Sequence, residues 1–60
     1  MSATRYFTDG YDFWKFVPGQ APQNRDKEES TWDESGFGTL EEFLECSGEV
    51  TEVTEEEAEP

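Results

Sequence analysis

The chain has 60 residues, with sixteen Asp and Glu, four Lys and Arg and no His, for a net charge of −12; a chain this short is one domain at most. The acid excess speaks against direct contact with nucleic acid, where Lys and Arg hold the phosphates, and against anionic membrane surfaces. With Cys46 as its single cysteine, the chain has no intrachain disulfide and cannot assemble the usual Cys and His zinc sets.

A domain of this size buries only about 60% of the surface its unfolded chain exposes. Small scaffolds of this kind rely on a disulfide, a metal or a partner. With the first two poorly supplied, a partner protein or self-association is the remaining route. The start, MSATRYF, has no apolar run of signal-peptide length, and no apolar stretch approaches a membrane span. The expectation is a soluble, cytoplasmic protein with no cofactor.

Charge and aromatics are unevenly placed. Residues 1–27 carry Arg5, Lys15, Arg25 and Lys27 against Asp9, Asp12 and Asp26, a net of +1. Residues 28–60 carry thirteen acids and no base. Six of the nine aromatics fall in the eleven residues YFTDGYDFWKF, Tyr6 to Phe16.

That aromatic stretch predicts a β-hairpin around Asp9-Gly10, a preferred centre for a two-residue type I′ turn. Such a turn pairs Thr8 with Tyr11 and Arg5 with Trp14. Alternation puts Tyr6, Thr8, Tyr11, Phe13, Lys15 and Val17 on one face, and Arg5, Phe7, Asp12, Trp14 and Phe16 on the other. Arg5 opposite Trp14 suits a cation–π contact. Pro18-Gly19 ends the second strand. Residues 18–31 read as a loop, with mixed charge and no apolar side chain beyond Ala21. Trp32 then serves as an anchor closing that loop onto the aromatic sheet, or as an exposed binding residue.

Thr39-Leu40-Glu41-Glu42 predicts a helix start. Thr39 caps the first turn and Glu42 completes a T-x-x-E box, while Glu41 and Glu42 suit the positive helix N-terminus. Leu40, Phe43 and Leu44 form one apolar stripe, and Gly48 is placed to stop the helix in the left-handed region. Two turns do not persist alone in water, so the stripe must pack on the hairpin. Glu49 to Thr54 is β-prone and can add a third strand. Residues 55–60 read as a solvated, disordered acidic tail. The fold expectation is therefore a small α+β domain over 1–54, with an aromatic hairpin packed on one short helix, and a tail over 55–60.

Catalysis has little to stand on: no His, no Cys–His pair and no evident base for a Ser or Thr. Gly36-Phe37-Gly38 lacks the third glycine of a phosphate loop, and Asp33, Glu34, Glu41 and Glu42 around it repel phosphate. No EF-hand spacing is present. Glu45 beside Cys46 disfavours a thiolate. The expectation is a non-enzymatic protein that binds a basic partner through aromatic anchors and carboxylates. Phe7, Trp14 and Phe16 are the expected presented anchors, because Arg5 and Asp12 make that face the wetter one, with Tyr6, Tyr11 and Phe13 as the alternative presented set; Trp32, Asp33, Glu34, Glu41, Glu42 and Glu45 complete the surface. The alternative is an inhibitor of the kind found among small acidic phage proteins, whose carboxylates stand in for the phosphates a DNA- or RNA-binding protein expects.

Overall fold

A computed structural model of the chain describes residues 3–59. Five antiparallel strands form one sheet in the order β4-β3-β2-β1-β5, with two short helices. The strands are β1 (Arg5–Thr8), β2 (Asp12–Phe16), β3 (Gln23–Asp26), β4 (Asp33–Glu34) and β5 (Thr51–Val53). The helices are α1 (Leu40–Cys46) and α2 (Glu55–Ala58). The class is α+β, dominated by the sheet.

The aromatic hairpin forms, with a different turn. Thr8 pairs with Phe13, Phe7 with Trp14, Tyr6 with Lys15 and Arg5 with Phe16, so four residues, Asp9 to Asp12, connect the strands instead of two. Asp9 explains the change. Its Oδ1 accepts from the backbone N–H groups of Tyr11 and Asp12, both at 2.9 Å, a local bond that competes with the tight turn. Only Gly10 takes a positive φ here, +98°, whereas a type I′ turn needs two such residues. Because the register moved by two residues and the side-chain period is two, the face assignment survives. The expected contact of Arg5 with Trp14 does not. The Arg5 guanidinium lies over Phe7 at 5.2 Å and grips Glu52 of β5 in a bidentate pair at 2.9 and 3.0 Å.

The hairpin's anchor face is the core. Phe43 of α1 is 0% exposed, and its ring centroid lies 5.0 Å from Trp14, 5.0 Å from Phe16 and 5.7 Å from Phe7. Phe37 meets it edge-on at 5.3 Å, and Leu40 and Val50 close the cluster. Phe7, Trp14 and Phe16 are therefore not a presented surface. A two-turn helix lacks stability of its own, so the largest apolar surface within reach had to be its packing partner.

Thr39 caps α1 as the spacing predicts: its hydroxyl accepts from the Glu42 N–H at 3.1 Å. Glu42 returns to the Gly38 N–H at 3.3 Å. The helix ends at Ser47, with Gly48 at φ +69° just beyond it. The apolar stripe is narrower than expected, since Leu44 is 44% exposed.

Two further expectations fail. Residues 18–31 are not one loop. A turn with Pro18 and Gly19 (φ +82°) at its centre, closed by Gln20 N–H to the Val17 carbonyl at 3.0 Å, reverses the chain into β3, which pairs with β2 from Asp12↔Asp26 to Lys15↔Gln23. The sequence QNRD has little β-propensity; the unpaired edge of β2 supplies the reason, and the Asn24 amide adds a bond to the Phe13 carbonyl at 3.2 Å. Nor is 55–60 a disordered tail over its described part: Glu55–Ala58 is helical, capped by Thr54, and Ala58 is fully buried. Thr54-Glu55-Glu56-Glu57 repeats the T-x-x-E signal that starts α1, and Thr54 accepts from Glu57 N–H at 3.3 Å. The Cα radius of gyration, 10.5 Å, matches the roughly 10 Å of a compact chain this long. The third strand forms as β5, on β1.

Two outcomes test this packing. Phe43→Ala costs about 3–5 kcal/mol, enough to abolish the cooperative melt of a marginal domain, whereas Leu44→Ala moves the midpoint little; near-UV circular dichroism melts separate them. The N–H groups of Asp12 and Tyr11 hold the Asp9 carboxyl below its ordinary value. Its contribution to stability is thus complete above the ordinary aspartate range, near about 3.9, and is lost as pH falls through the lower folded-state value. A carboxyl carbon titration by NMR that gives Asp9 an ordinary midpoint contradicts the turn geometry.

Candidate protein-docking surface

The second sheet face carries Tyr6, Phe13, Lys15 and Arg25, as the pairing of Tyr6 with Lys15 and Phe13 with Arg25 requires. Arg25 is 4% exposed and, among the described residues, is ion-paired to no carboxylate. Its guanidinium donates to the carbonyls of Asp26, Glu29 and Ala58 and lies over the rings of Phe13 at 4.9 Å and Trp32 at 5.3 Å. Burying an unpaired cation is costly; three carbonyls, two ring faces and the negative field of the whole chain offset it. Lys15 sits over the other ring contact of Trp32, 4.6 Å from its centroid, and 3.6 Å from Glu59. The Trp32 indole donates to Glu59 at 2.6 Å. Trp32 thus anchors the β3–β4 connection onto the sheet, half-buried, and is not an open binding face.

All four basic side chains of the chain lie over aromatic rings: Arg5 over Phe7, Lys15 over Trp32, Arg25 over Phe13 and Trp32, and Lys27 over Tyr11 at 5.5 Å. Arg5 and Lys15 are also ion-paired, to Glu52 and Glu59. All four cations are thus engaged by rings of the same chain, Lys15 and Arg25 under cover and Arg5 and Lys27 at the surface, while most of the carboxylates face solvent. Asp33 and Glu34 are exposed on β4, an edge of the sheet. Glu41, Glu42 and Glu45 are exposed on α1, where spacings of three and four residues put them side by side. Of the nine residues expected to bind a partner, these five face solvent, while Phe7 and Phe16 are buried and Trp14 and Trp32 are half-buried.

An open cleft of about 230 Å³ runs between the end of β2 and the start of α1, lined by Arg5, Phe16, Val17, Pro22 and Leu40 among others. No carboxylate lines it. Among the described residues no group of three or more His, Cys, Asp or Glu is placed to hold a metal ion, and no helix is long and apolar enough to cross a membrane. Cys46 is exposed and unpaired. The residues that sequence reasoning missed are Lys15, Arg25 and Glu59; Lys15 stands between Trp14 and Phe16 in the chain, a visible signal, whereas no aromatic neighbours Arg25 or Glu59 in sequence.

Comparisons with models of protein families, with curated proteins and with solved structures found no match.

Carboxylates crowded outside, with the cations already engaged, predict a specific response to salt. Added NaCl raises the melting midpoint, because screening within a Debye length of about 8–10 Å relieves acid–acid repulsion. The two exposed or half-exposed ion pairs it weakens are worth little by comparison. A midpoint that stays level or drops in thermal melts at low and moderate salt contradicts this balance.

Proposed function

We propose that the chain is a non-enzymatic binding protein that docks a basic surface of a partner protein through fixed carboxylates. One observation carries the reading: the four cations are engaged over aromatic rings, and the acids face outward. A surface of one sign attracts its opposite over long range and speeds encounter. Asp33, Glu34, Glu41, Glu42 and Glu45 form the proposed contact set. Aromatic anchoring by Phe7, Trp14 and Phe16 has no part in it, since those rings make the core. A reducing cytoplasm suits the unpaired Cys46.

A second reading has its own support. The acids of α1 and α2 are mounted on capped helices, so their spacing is held rather than averaged by a loose tail. Fixed spacing is what a protein that reads a regular phosphate backbone would need from a nucleic-acid mimic.

Affinity capture from the native host's lysate, followed by binding kinetics on the captured protein, tests both. The partner is expected to be basic, to elute with salt, and to associate more slowly as salt rises. Glu41→Gln, Glu42→Gln and Glu45→Gln together keep the cap at position 42, since Gln also serves there, and should slow association about tenfold with little change in dissociation. Equal association rates for parent and triple variant reject the docking reading. Displacement of the partner by duplex DNA or RNA supports mimicry; a ternary complex rejects it.

A further inference from the structure

We infer that residues 54–59 form a strap that opens as one unit while the rest of the sheet and α1 stay folded, and that when closed it withholds Lys15 and Arg25 from solvent. This goes beyond the docking reading and does not depend on it.

The strap is held mainly by polar contacts. Its one buried side chain is Ala58, so the strap's own side chains take little apolar surface out of water. A single helical turn does not persist alone. What holds it are four contacts with the sheet face and Trp32: Arg25 to the Ala58 carbonyl, the Trp32 indole to Glu59 at 2.6 Å, Lys15 to Glu59 at 3.6 Å, and the Tyr6 hydroxyl to Glu55 at 3.3 Å. Three of the four meet the last two residues of the strap. At its other end one residue, Thr54, extended at φ −83° and ψ 165°, joins it to β5 and is the natural hinge.

The floor beneath it is poorly satisfied. Arg25 Nε is buried with no hydrogen-bond partner, and among the described residues its guanidinium donates to carbonyls only. Opening returns Arg25 and Lys15 toward water, which offsets part of the lost contacts. It also parts Glu55 and Glu59 from the ring of Tyr6, whose phenol burial and these carboxylates push above its ordinary pKa. The Phe43 cluster lies on the opposite face, and the strands beneath the strap lose side-chain contacts at Tyr6 and Lys15 but none of the backbone hydrogen bonds between β1 and β2. Segments with few apolar contacts and a distinct polar attachment open sub-globally, with less free energy than the core.

Hydrogen exchange followed by NMR on the full chain tests this. The Ala58 and Glu59 amides donate within the strap to Thr54 and Glu55, and the Trp32 indole N–H donates to it from outside, so the three report one event. Their protection factors should agree with one another and fall at least about tenfold below those of the β1–β2 amides. Glu59→Ala removes the Lys15 and Trp32 contacts together. It should lower the Trp32 indole and Ala58 protection by about tenfold and leave the β1–β2 amides unchanged. The inference is overturned if the strap group exchanges only with the core in the parent, if Glu59→Ala accelerates both groups alike, or if Trp32, Ala58 and Glu59 open with unrelated protection factors, which is fraying and not a strap.

Discussion

Both faces of the β1–β2 hairpin are aromatic, and a sheet in water cannot leave both bare. That constraint organises the molecule. Phe7, Trp14 and Phe16 on one face take α1 as a cover, through the single fully buried ring of Phe43. Tyr6 and Phe13 on the other take Arg25, Trp32 and α2. The chain is too short for two apolar layers, so only the first cover is hydrophobic. The second is built from cations lying on rings and donating to carbonyls.

That second cover settles the electrostatics as well. A protein with sixteen acids and four bases would ordinarily scatter its cations among its carboxylates. Here they are held against aromatic faces, two of them also ion-paired, and Arg25 is buried. With the four bases engaged in this way and sixteen acids on the chain, the surface carries a large excess of negative charge. Repulsion among those acids works against the small fold, and the same excess is what the proposed docking to a basic surface rests on.

Local chemistry was legible in the residues. Thr39 and Glu42 marked the start of α1, Gly48 its end, and Pro18-Gly19 the turn after β2, because caps and turns are decided within three or four residues. The two hairpin faces were also legible, since alternation is intrinsic to a strand and survives a two-residue change of register. The register itself was misread because Asp9 bonds its own turn, a side-chain choice that Asp-Gly does not reveal.

Which face became the core, and whether polar segments would fold, was decided only in three dimensions. Arg5 and Asp12 made the Phe7 face look the wetter one, yet Arg5 covers only one ring, Phe7, while it pairs with Glu52, and Phe43 packs on Phe7, Trp14 and Phe16 together. Gln23–Asp26 has no apolar pattern and became a strand because β2 had an unpaired edge. Glu55–Ala58 is too acidic to fold alone and became a helix because Lys15, Arg25 and Trp32 were there to receive it. Sequence by itself determined composition, caps, alternation and the surplus of negative charge, all properties of near neighbours. Tertiary structure decided burial, because burial depends on which surfaces meet, and in so short a chain each segment is stabilised by what another segment lacks.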